Sequence, residues 1–152
     1  MAIPGPGRLL RLLADAEAVT WSLLLVGMAL KYLTRTTDLG VSIAGPVHGF
    51  VFLAYCLVVV VVAVDQRWSA RTVVMGLFSA VPPFVTIPFE QSVRRRGLAG
   101  QEWRLREPGA ARTLPERALH EVLRRPLLWG LVALLAVTVV FLVLLALGPP
   151  VG

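Results

Sequence analysis

The chain has 152 residues, of which 57% are hydrophobic and only 16% charged, and its mean hydropathy of +0.75 lies well above the range of a soluble domain. Four apolar stretches, each near or above the roughly 18 residues that a membrane helix needs, take up more than half of it and exclude a separate soluble catalytic domain. The basic excess, 15 Lys+Arg against 9 Asp+Glu, does not point to nucleic acid, because most of it falls between Arg94 and Arg125, where positive charge holds a loop on the cytoplasmic side during insertion.

Residues 1–13 begin Pro4-Gly-Pro6-Gly and continue Arg-Leu-Leu-Arg-Leu-Leu, an arm suited to the headgroup layer before the chain enters the membrane. Arg11 interrupts the leucines, so a cleaved signal peptide fits badly and the first span is expected to remain as an anchor. That span is expected over 14–32, and a polar link over 34–45 leads to a second over 46–64. Trp68, just after it, suits an interfacial aromatic anchor. The third span, 70–89, contains Pro82, Pro83 and Pro88, so its second half must be kinked, with freed carbonyls satisfied by neighbouring helices. A basic loop follows. In it Thr113-Leu-Pro-Glu116 has capping-box spacing, which predicts a helix from about Leu114 to Arg125 with Leu119, Val122 and Leu123 on one side. This amphipathic face suits the membrane surface or a partner, or is a solvated connector. The fourth span, 126–147, is nearly all Leu, Val and Ala and reads as a lipid-facing anchor.

The expected architecture is therefore an all-α polytopic bundle with four transmembrane helices, the third proline-kinked, plus a short amphipathic helix in the loop. It divides into a three-helix core over 8–96, a basic loop over 97–125 and a fourth helix over 126–147. With four spans both termini share a side, and the basic residues favour a cytoplasmic loop with both termini outside.

A charged side chain at mid-helix costs at least about 2.5 kcal/mol on the insertion scale, so each is a functional or packing hypothesis by default. Glu17, Lys31, His48 and Glu90 qualify. Four spans would put Lys31, His48 and Glu90 on one membrane face and Glu17 near the other, with Arg71 and Asp65. Closeness to a helix end favours a Glu17 tied to Arg71 or to headgroups over a proton carrier, and Lys31 is expected to snorkel. His48, Phe52 and Tyr55 line up at i, i+4 and i+7, so an imidazole and a phenol can face one interface. His48 is either hydrogen-bonded to a neighbour or a titrating switch. Glu90 suits the cap of the third helix, next to Arg94. Gly45 and Gly49 form a small-xxx-small pattern, which marks His48-Gly49 as the expected centre of packing. Ser22 and Ser79 suit helix-packing hydroxyls, and His120 on the loop helix is expected to be solvated.

The lone Cys56 has no partner for a disulfide and there is no Cys/His metal cluster. With no glycine-rich phosphate loop and no nucleophile beside a base, the inventory supports no enzyme, metal or cofactor.

The order Ala16-Glu17, Ser22, Leu30-Lys31-Tyr32, His48-Gly49, Tyr55, Ser79, Pro83-Phe84 and Glu90 resembles a family of small bacterial, often actinobacterial, integral membrane proteins with a His-Gly motif, the YdzA-like proteins. The resemblance covers roughly residues 8–96 and implies a core of about three spans without an assigned function. Two functional readings follow. The leading one is a non-enzymatic plasma-membrane component that assembles with itself or with a larger membrane complex through Glu17, His48, Gly49 and Glu90. The alternative is a proton-linked or small-solute transport subunit whose oligomer lines a path with Glu17, His48, Tyr55 and Glu90.

Overall fold

A computed structural model describes residues 4–147, and all regular structure among them is helical. α1 spans Pro6–Met28 and runs on as a π-helical turn, Ala29–Leu33. α2 spans Leu39–Gln66 with Pro46 inside it. α3 (Ala70–Ser79) and α4 (Thr86–Arg95) follow, then a 3₁₀ turn at Arg104–Arg106, α5 (Leu114–Arg124) and α6 (Pro126–Leu147). Three helical stretches are long and apolar enough to cross a membrane: Pro6–Leu33, Leu39–Gln66 and Pro126–Leu144.

Both of the first two helices start earlier than hydropathy suggested. Pro6 opens α1 in the first turn, where its missing N–H costs nothing and its fixed φ suits a helix. The 28-residue stretch to Leu33 therefore carries Glu17 near its middle, not near an end. α2 starts at Leu39, so the polar link is short and Pro46 removes one internal hydrogen bond without ending the helix.

The third expected span does not form one crossing helix. α3 and α4 have 10 residues each, about 15 Å at 1.5 Å per residue, half of a hydrocarbon core. Residues 80–85, with Pro82-Pro83, are not helical, and Phe84 takes a left-handed φ of 66°. The chain reverses there. The Trp68 indole, immediately before α3, donates to the Leu98 carbonyl beyond α4 at 2.7 Å and meets the Phe89 ring edge-on, centroids 6.0 Å apart. Both ends of the α3–α4 hairpin thus lie together, with Trp68 as their junction.

This reversal puts the basic loop beside the N-terminus. Gly7 N–H donates to Gly100 O at 3.2 Å, and the Trp103 indole donates to Pro4 O at 2.8 Å. The N-terminal arm lies against the loop, so closely that a Cβ on Gly5 would fall 1.7 Å from Gln101 O. The loop also grips the end of α2. Asp65, fully buried, accepts from the backbone N–H groups of Arg104 and Leu105 at 3.2 and 3.0 Å.

The capping box of α5 forms as its spacing predicted. Its apolar face is covered by protein: Leu119 and Leu123 pack with Val62, Trp103 and Leu105. His120, expected to be solvated, donates from Nδ1 to Leu105 O at 2.5 Å. α6 touches α2 through Phe141, whose ring meets Phe50 edge-on at 6.2 Å; otherwise its leucines and valines are largely exposed, as a lipid-facing helix requires.

Candidate functional site

α1 buries Leu10, Ala14, Glu17, Thr20 and Gly27, a stripe at spacings of three, four and seven that faces its neighbours. α2 answers with Ala44, His48, Tyr55, Val59 and Val62, so the expected His48–Phe52–Tyr55 line does turn inward. The two helices approach most closely at Gly27 and Gly40, where a Cβ on Gly27 would fall 2.7 Å from the Gly40 carbonyl carbon. Gly45, expected at the contact, has nothing within 4 Å, and Gly49 faces the Phe141 ring on α6.

Two hydrogen-bonded pairs extend from α2. On the α1 side, Thr20 Oγ1 donates to Glu17 O at 3.0 Å and lies 3.1 Å from His48 Nδ1. A hydroxyl has one proton, so with it on Glu17 O the imidazole donates from Nδ1 and keeps Nε2 as its acceptor. On the α3 side, Ser79 Oγ donates to Gly76 O at 2.6 Å, which makes Tyr55 OH the donor in the 2.9 Å bond to Ser79 Oγ. Tyr55 and Ser79 are both buried.

The Glu17 side chain belongs to neither pair, although its carbonyl accepts from Thr20. Its side chain is 0% exposed, and both carboxyl oxygens, like the neighbouring Trp21 indole N–H, have no hydrogen-bond partner among the described residues. Among the described residues Arg71, one of its expected partners, does not bond it. Trp21 instead lies over His48, ring centroids 4.5 Å apart. A buried polar group without a partner is rare in native proteins and points to a bound species or a chemical role.

The hairpin also relocates Glu90. It does not share a face with Lys31 and His48; it lines a cleft of about 380 Å³ between α1 and α4, with Arg8, Arg11, Asp15 and Arg94. The Arg94 guanidinium stands 3.7 Å from its carboxylate. The cleft lies on the loop face and leads toward the buried stripe of α1 through Leu10, while deeper in, Thr86 Oγ1 donates to Ala14 O at 3.3 Å. Lys31 is remote from this set, 3.8 Å from Asp38 and 5.5 Å from the Tyr32 ring centroid. Ser22 is exposed and donates to Ala18 O on its own helix at 3.0 Å.

A second polar cluster ties the loop to α2. Glu116, buried, takes Arg67 Nε and Arg104 Nη2 at 2.6 Å each and the Arg112 N–H at 2.7 Å. The Arg67 guanidinium and then the Arg112 amide hold its carboxyl far below the usual carboxylate range. No spacing rule announces Arg67 and Arg104, nor Asp65 and Thr20, because their partners are 12 to 49 residues distant in sequence. Among the described residues no group of three His, Cys, Asp or Glu could hold a metal ion.

The same region carries the relationship to other proteins. A stretch of 97 residues is 48% identical to membrane protein SCO5905 of Streptomyces coelicolor, covering 61% of this chain and 12% of that one. A stretch of 72 residues is 32% identical to the uncharacterised membrane protein YdzA of Bacillus subtilis, covering 47% of this chain and 74% of YdzA. The chain thus matches only a small part of the first relative and about three quarters of the second. No solved structure matches it. Residues 7–95, from the start of α1 to the end of α4, match the family described as a domain of unknown function, DUF3817, and as its relatives are bacterial membrane proteins, the chain belongs to this uncharacterised family of bacterial membrane proteins.

Proposed function

We propose that this protein is a non-enzymatic component of the bacterial plasma membrane in which Glu17 takes up and releases a proton. The observation that carries the reading is the Glu17 carboxyl itself, fully buried in a long apolar helix with neither oxygen bonded to any described residue. An intramembrane carboxyl with no compensating donor is a proton or ion site by default. The Glu90 cleft opens on the loop face and ends on α1 at Leu10 and Asp15, short of Glu17, while Thr20–His48 and Tyr55–Ser79 supply hydroxyl and imidazole groups at the neighbouring helix contacts.

On this reading α1, α2 and α6 are the crossing helices, and the α3–α4 hairpin enters and leaves by the loop face. The concentration of arginine in the loop then favours a cytoplasmic start of α1 and loop, with the far end of α6 outside. The alternative to it is the four-span arrangement with both termini outside. The exposed leucines and valines of α6 favour a second role for that helix, docking to another copy or to a larger membrane complex, and so leave room for the accessory function.

Reconstitution into vesicles with an internal pH-sensitive dye tests the proton reading. Under an imposed pH gradient the wild type is expected to move protons, Glu17→Gln to stop the flux, and both to elute at the same assembly size. Equal flux from the two proteins, or none from the wild type, sinks the reading and leaves the accessory role.

A further inference from the structure

α3 and α4 leave a groove of about 310 Å³ between them. Its walls change along its length. Thr72, in the first turn of α3, and Ser92 with Arg96, at the end of α4, supply two hydroxyls and a guanidinium. Met75, Phe78 and Val85, nearer the turn, supply only apolar surface, and Phe78 is 65% exposed. Because the two helices meet at Trp68 on the loop face, the polar end lies at that face and the apolar end points into the bilayer. This order of chemistry with depth fits an amphiphile standing along the membrane normal, and a soluble ion has no use for the apolar half. Arg96 sets the sign of the headgroup, and Arg94 and Arg95 precede it in the same turn.

We propose that this groove binds an anionic phospholipid of the loop-side leaflet. Arg96 pairs with the headgroup phosphate, the Thr72 and Ser92 hydroxyls bond its oxygens, and one acyl chain lies along Met75, Phe78 and Val85. Ser79 also lines the groove and accepts from Tyr55 at 2.9 Å, so the lipid touches the same polar pair that faces the core. The lipid site stands on the groove alone and does not depend on Glu17 moving protons.

Native mass spectrometry of the full chain in mild detergent, titrated with phosphatidylglycerol or with phosphatidylcholine of the same chains, tests the proposal. The wild type is expected to prefer phosphatidylglycerol by about fivefold, the worth of one arginine at an anionic headgroup. Arg96→Gln should abolish the preference and Arg96→Lys should keep most of it; both changes are on an exposed side chain. Ser92→Trp, which fills the groove, should reduce retention of both lipids. Equal retention of the two lipids by the wild type overturns the site. So does a preference that survives Arg96→Gln, which would assign it to other arginines of the loop, or displacement of the lipid by inorganic phosphate, which would make the site one for a free anion. Cross-linking of Ser92→Cys to a second copy in a Cys56→Ala background would show the groove to be a protein interface and equally overturn it.

Discussion

Gly27→Ala is the sharpest test of how α1 and α2 are held. The new methyl would lie 2.7 Å from Gly40 C and 2.9 Å from Gly40 O, whereas carbon atoms in contact prefer about 3.5–4.0 Å. The obstructing atoms are backbone, so no side chain can turn aside and the helices must separate by about 1 Å at the crossing. Overpacking of this kind costs about 1–3 kcal/mol, against a gain of about 1 kcal/mol from replacing glycine by alanine in a helix. Gly130→Ala is the matched control, inside α6 with nothing among the described residues within 4 Å of its new methyl. The propensity gain is common to both, so the difference between the variants isolates the steric effect, and Gly27→Ala should be the less stable by about 1–3 kcal/mol. Circular dichroism of the detergent-solubilised protein during thermal unfolding gives the comparison. Equal stabilities, or a Gly130→Ala variant less stable than Gly27→Ala, would refute the Gly27–Gly40 crossing.

The hairpin makes a direct prediction for labelling with a membrane-impermeant maleimide. In a Cys56→Ala background, cysteines replacing Arg71 and Glu107 should react from one side and a cysteine replacing Thr36 from the other; a Thr36 that labels with Glu107 instead would restore four crossing spans. The Glu116 cluster should resist acid. Its folded pKa is lowered by Arg67 and the Arg112 amide, so its contribution is fully present above about 4.5, the ordinary value, and is lost only as the pH falls through the lower folded value. At pH 3.5 pepsin should therefore cut the wild-type loop several-fold more slowly than that of Glu116→Gln, and equal rates would show that the carboxylate does not anchor it.

The helices and their apolar faces were legible because both follow from local rules. The capping box of Thr113 and Glu116 lies within one turn, and the His48–Tyr55 line follows from the helical repeat alone. The hairpin was not legible, because a hydropathy average over 70–89 counts apolar residues and is blind to a change of direction. Pro82-Pro83 marked the right place, but a kink and a reversal begin with the same residues. The reversal is completed at Phe84, whose left-handed φ of 66° is uncommon for a bulky side chain and carries no marker such as glycine. That one turn moved Glu90 from the face of Lys31 to the cleft beside Arg11. It also brought the basic loop onto the N-terminal arm and gave Asp65 and Glu116 their partners. The glycine contacts were legible only in part: Gly49 faces Phe141 on α6, but Gly27 and Gly40 are single residues on separate helices, so no spacing within one helix identifies them.

The two polar pairs on α2 are held by different elements. His48 is bonded to Thr20 on α1, a long helix that meets α2 backbone to backbone at Gly27 and Gly40. Tyr55 is bonded to Ser79 at the end of α3, a helix too short to span the bilayer, so packing fixes its place: Ala80, Phe89 and Val93 bury against Leu10, Ala14, Tyr55 and Val59, and Thr86 Oγ1 donates to Ala14 O at 3.3 Å. A Cβ on Gly76 would meet both Phe89 and Val59 at 2.9 Å. The Tyr55 bond therefore depends on the reversal at Phe84 that lays α4 on α1, whereas the His48 bond does not. Glu90 lies on the same α4, so the one turn that a hydropathy average cannot see fixes both the Glu90 cleft and the Tyr55–Ser79 bond.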